Sequence, residues 1–153
     1  MHYTHLEDYI CDLYKSLSID KPEQLSIPEI AKKLKIEVFY RKAAIRLDDS
    51  ITLVRSTKQK EWQEFGHELA HHLRHCGQQL NMHPLFRQLQ EYQATYFAYH
   101  FCVPTFMLQQ LIGISVKQIM NLFNVEYEFA VRRLEIYQNN KLGGLIYGQA
   151  SAY

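Results

Sequence analysis

His67-Glu68-Leu69-Ala70-His71 sets two imidazoles four residues apart, with a carboxylate beside the first. On a helix the two histidines share a face, their Cβ atoms about 5–6 Å apart. At that spacing both rings can meet one zinc ion at roughly 2.0–2.1 Å. Glu68 is turned about 100° from His67 by the helical period, so it reaches a water on the metal more easily than the metal itself. Zinc makes such a water acidic, and a carboxylate can take its proton as the oxygen attacks a carbonyl. The same carboxyl can then hand the proton to a leaving amine. The bland alternative is a His-rich helix with solvated or hydrogen-bonded imidazoles. The chain holds eight histidines, and an HExxH string then arises by chance roughly a few per cent of the time.

A catalytic zinc needs a third protein ligand and an open fourth position. Glu91, in Glu91-Tyr92-Gln93-Ala94-Thr95-Tyr96-Phe97-Ala98, is preferred as that ligand, contributed by a second helix. Ala94 and Ala98 lie one turn apart near its face, where small side chains let two helices approach closely. His75, His83 and His100 remain the alternatives. His75 follows His71 on the same helix, and three ligands down one straight helix cannot converge. His83 sits beside Pro84 in a loop, His100 is far along the second helix, and His72 faces away from the metal.

Several elements must position these residues. Thr4-x-x-Glu7 is a capping-box pattern opening an amphipathic helix through Leu6, Ile10, Leu13, Tyr14 and Leu17, ending near Ser18. Ser26-Ile27-Pro28-Glu29 repeats the pattern before a short helix, 28–34. Ile36 to Tyr40 is rich in β-formers, and 44–47 and 51–54 flank Asp48-Asp49-Ser50, hairpin-like turn chemistry. This predicts a small, mostly antiparallel sheet near 36–55. Trp62, Phe65, Leu69 and Leu73 then give the stripe of the HExxH helix, with Gly77 as its C-terminal cap. Pro84 opens the next helix, which stops near Pro104. Ser115-Val116-Lys117-Gln118 is a further capping box, Asn124-Val125 a turn, and Gly143-Gly144 the break of the last helix. The class is α+β and mainly helical.

Composition narrows the partners. The chain has 153 residues, 47% of them apolar and 22% charged, and a net charge of +1. That is the profile of one globular domain with a real core, and it offers no electrostatic case for nucleic acid or an anionic membrane. Cys11, Cys76 and Cys102 form no CxxC pair and read as reduced, packed thiols. The first eight residues lack a basic start and an apolar core. The most apolar stretch, 96–111, is broken by His100, Pro104 and two glutamines. The expected location is therefore the cytoplasm. The stretch 115–137 looks like a helix-turn-helix, but its second helix opens Glu126-Tyr127-Glu128, which would repel phosphate where a reading helix makes contact. Structural packing or docking of a repressor is expected there rather than DNA binding.

Taken together, the HELAH helix with His75, then EYQATYFA from Glu91 to Ala98, then Val103-Pro104, resemble the ImmA/IrrE metallopeptidases of bacteria and their mobile elements. The resemblance covers most of the chain. It implies a single domain over 1–153: a zincin-like core over 1–104, a helical C-terminal part over 105–140 and a loosely held tail over 141–153. It also implies one Zn²⁺ held by His67, His71 and Glu91, with Glu68 catalytic. The family pattern is ExEA with an Asn shortly after; here those positions are Gln93 and Thr95. The implied substrate is a repressor with a helix-turn-helix domain, cut to relieve repression of a prophage or mobile element. A second expectation, from another class, is a module that binds a repressor without cleaving it.

Overall fold

The Thr4 side chain accepts from the Glu7 backbone N–H at 3.3 Å, and the Glu7 carboxylate accepts from the Thr4 N–H at 2.8 Å. Helix α1, His5–Ser16, therefore begins where the capping box predicts. The computed structural model describes residues 3–42, 50–74 and 83–150, with side chains as far as residue 143. A 3₁₀ turn, Pro22–Gln24, precedes α2, Ile27–Leu34. The second expected capping box does not form, because Ser26 makes no side-chain cap and α2 relies on a proline in its first turn.

Strands β1, Glu37–Arg41, and β2, Ser50–Val54, follow and pair in parallel, with Glu37 opposite Ser50 and Arg41 opposite Val54. This corrects the antiparallel expectation. Turn-forming residues show that a chain reverses, not how the next strand pairs. The eight residues from 42 to 49 can span roughly 26 Å when extended, enough to return along a five-residue strand of about 16 Å. The strand expected at 44–47 and the Asp48-Asp49 turn lie outside the described residues. Ile51 and Leu53 point inward, 2% and 0% exposed, beneath the next helix.

That helix is α3, Lys58–Arg74, and α4 is Pro84–Cys102. Gly77, the expected cap of α3, lies outside the described residues. The α3–α4 seam holds Phe65, Leu69, Phe97 and Phe101, each no more than 1% exposed. Burying each such side chain stabilises the fold by about 1.5–3 kcal/mol. Gly66 is a point of close approach. A Cβ there would lie 2.8 Å from Cys102 Sγ and 3.4 Å from the Ala98 Cα. Ala94 and Ala98 are buried on the facing side, as their size predicts. Free Cys102 is fully buried, and burial pushes its thiol pKa well up, so it packs as a small hydrophobe.

The chain continues through α5, Thr105–Leu108, α6, Val116–Phe123, and α7, Tyr127–Ala150. The capping box at Ser115 and Gln118 is formed, and Asn124 ends α6 in the left-handed conformation. Helix α7 runs through Gly143-Gly144 to Ala150, so the expected break of the last helix does not occur there. Glycine costs a helix about 1 kcal/mol per residue, a penalty the helix can absorb. One hydrophobic cluster joins α1, α2, β2, α3, α4 and the C-terminal helices.

A buried polar strap ties α7 to this core. Arg133, 0% exposed, donates through Nε to the Val103 carbonyl at 2.9 Å and through Nη2 to the Thr105 hydroxyl at 2.8 Å. Thr105 in turn donates to the Glu7 carboxylate at 2.7 Å.

Candidate metal centre

The period of α3 puts His67 and His71 on one face, and α4 brings Glu91 against it. His67 Nε2 lies 3.0 Å from one Glu91 carboxylate oxygen, and His71 Nε2 lies 3.2 Å from the other. The two Nε2 atoms are 3.2 Å apart. His71 is held most deeply, with 6% of its side chain exposed against 25% for His67 and 44% for Glu91. Among the described residues this is the cluster whose donor atoms could hold a metal.

The cluster fits zinc. Ligand atoms around a tetrahedral ion with bonds of 2.0–2.1 Å stand about 3.3–3.4 Å from one another. The observed separations, 3.2 Å between the two imidazole nitrogens and 3.0 and 3.2 Å from them to the two Glu91 oxygens, are close to that spacing. Two imidazole nitrogens and one carboxylate also match the donor set of catalytic zinc sites that keep an open position.

The competing ligands are elsewhere or otherwise engaged. His83 caps α4, its Nδ1 accepting from the Leu85 N–H at 3.3 Å. His100 is 1% exposed, beside the Arg133 strap, with Nδ1 3.0 Å from the Tyr96 carbonyl. Burial first, then the Arg133 guanidinium, pull its pKa down to about 4. His72 is half-buried on α3 outside the cluster, and His75 lies outside the described residues. Glu68 is half-buried on α3, beside the first ligand.

Residues 31–135, which include both helices of the cluster, match the Peptidase_M78 family, described as the IrrE N-terminal-like domain. The chain belongs to that family. This Peptidase_M78 chain is also 38% identical to the phage-like element PBSX protein XkdA of Bacillus subtilis (strain 168), over 93% of its own length and 77% of that protein. It is 33% identical to the uncharacterized protein YqaB of the same strain, over 90% of its length and 87% of YqaB. No solved structure matches it. No helix among the described residues is long and apolar enough to cross a membrane.

Two residues beside the cluster are not identified by the motif. Thr95, a departure from the family pattern, brings its hydroxyl to 3.3 Å from His67 Nδ1. Gly66 immediately precedes the first ligand and sets the spacing of α3 and α4. Its signal in the sequence is a glycine inside a strongly periodic helix, which needs a packing reason.

Proposed function

We propose that the chain is a zinc-dependent endopeptidase that cleaves a helix-turn-helix repressor in the cytoplasm, relieving repression of a prophage or mobile element. The observation that carries this reading is the convergence of His67, His71 and Glu91, whose nitrogen and oxygen donor atoms lie 3.0–3.2 Å from one another. Family membership supports the peptidase part, and similarity to a protein of a phage-like element supports the setting. Zinc in such a site supplies Lewis acidity that makes water nucleophilic near neutral pH. His67 and His71 would hold the ion through their imidazoles, and Glu91 would add the carboxylate of the second helix. Glu68 takes the proton of the attacking water and passes it to the leaving amine nitrogen.

A polypeptide substrate suits the neighbouring surface. The first half of α4, leading to Glu91, exposes Leu85, Phe86, Leu89 and Tyr92, each at least half exposed. An apolar patch of this kind marks a contact surface. The charges of α7 favour packing or docking over DNA reading. Arg133 is buried, Arg132 pairs with Glu135 at 3.0 Å, and Glu128 sits in the first turn.

The test begins with bound zinc in protein purified without added metal. Near one ion per chain, lost or sharply weakened in His71→Ala and Glu91→Ala, is the expected result. Glu68→Gln should keep zinc and fold while slowing repressor cleavage by about 10²–10⁴-fold. If Glu68→Gln relieves repression as well as wild type, the chain is instead a module that binds a repressor without cutting it.

A further inference from the structure

A ligating imidazole has to be held at both ends. With Nε2 of His67 turned to the triad, the neutral ring carries its proton on Nδ1, and that N–H needs an acceptor that fixes tautomer and orientation. His67 needs such a partner more than His71 does. His71 is enclosed by the core, whereas His67 keeps 25% of its side chain exposed and is oriented less by packing. The acceptor within reach is the Thr95 hydroxyl, 3.3 Å from Nδ1.

Thr95 stands one helical turn beyond Glu91 on α4. One face of that helix thus gives a ligand directly and a hydrogen-bond acceptor to a ligand on the other helix. A β-branched threonine is confined largely to two χ1 rotamers in a helix, and in the one adopted here its hydroxyl faces His67. We infer that Thr95 is the positioning residue of His67: its hydroxyl accepts the Nδ1 proton, locks the ring with Nε2 toward Glu91, and thereby tightens metal binding. This rests on the metal reading of the triad.

The experiment compares wild type, Thr95→Val and Thr95→Ser for zinc affinity, by competition with a chromogenic chelator at fixed pH. The His67 ring nitrogens are followed by ¹⁵N NMR in the zinc-loaded proteins. Valine keeps the shape and removes the acceptor; serine keeps the acceptor. Thr95→Val is expected to bind zinc about 10–100-fold more weakly, the range for such outer partners. Thr95→Ser should recover most of that loss, with His67 protonated on Nδ1 as in wild type. Thermal melts of the zinc-free proteins should coincide, since Thr95 is exposed. Equal zinc affinity and an unchanged His67 spectrum in Thr95→Val would overturn the inference alone. Absence of zinc from wild type itself would overturn both the inference and the metal reading beneath it.

Discussion

Replacing Gly66 with alanine tests whether the spacing of α3 and α4 governs the metal centre. The added methyl would sit 2.8 Å from Cys102 Sγ and 3.3 Å from the Phe101 ring. Comfortable contacts between such atoms lie near 3.5–4.0 Å, so the sulfur must withdraw by roughly 0.7 Å or more. It has little room, being fully buried, with its thiol 3.4 Å from the Trp62 carbonyl. Overpacking of this kind costs about 1–3 kcal/mol, while alanine gains about 1 kcal/mol over glycine in helix propensity. The balance runs from near zero to a loss of about 2 kcal/mol, which lowers Tm by up to about 8 °C in a domain of this size.

The functional effect is larger than the stability loss implies. His67 is the next residue, and Glu91 rides on the helix that must move away. Zinc affinity should therefore fall in Gly66→Ala, read by chelator competition beside a thermal melt. The double variant Gly66→Ala/Cys102→Ala removes the nearest clashing atom and should recover part of both losses. A single variant that melts about 1 kcal/mol higher, as propensity alone dictates, and binds zinc like wild type would refute the reasoning.

Acid should weaken the fold through His100. Its pKa is depressed to about 4 by burial and then by Arg133, while the unfolded value is near 6.5. The unfolded chain therefore takes up the proton first as pH falls. This contribution, on the order of 3 kcal/mol, is complete above about pH 6.5 and lost by about pH 4. Urea melts between pH 7 and 4 should show a shallower decline in His100→Gln, and parallel declines would contradict this. On α4, Leu85→Ser/Leu89→Ser should raise KM for the repressor about tenfold or more, with zinc content unchanged. An unaltered KM would show that substrate does not use this face.

The pairing of His67 and His71 was legible because both imidazoles lie on one helix, where a four-residue spacing fixes the geometry without knowledge of the fold. Glu91 required a second helix to pack at one particular rotation, which Ala94 and Ala98 hinted at. The role of Thr95 was hidden because a threonine on a helix surface carries no chemistry until its partner is located. The direction of β2 failed for a similar reason: alternation of Ile51 and Leu53 fits either pairing. Arg133 follows Arg132 in the sequence, and nothing local marks it as buried. Its burial depends on Val103, Thr105 and Glu7, residues distant in sequence that no local pattern connects to it.

His67, His71 and Glu91 are not held equally by the fold. His67 and His71 lie within α3, whose neighbours Phe65, Leu69 and Ala70 are all buried. Buried positions on α4 begin only at Ala94, three residues after Glu91, while Pro84 to Leu89 are exposed. The turns that carry Glu91 are thus tied to the core by few packed side chains, and local opening there is inexpensive. A metal bridging Glu91 to α3 adds a tie that opening must break. At free zinc 100 times its dissociation constant, the linkage is worth about 2.7 kcal/mol, enough to suppress opening by up to about 100-fold. Amide exchange across 84–92 should therefore slow strongly on zinc addition, while 94–102 changes little. In Glu91→Ala, zinc should leave exchange at 84–92 untouched. Equal protection of both halves without metal would mean that α4 is preorganised, and that zinc finds its third ligand already in place.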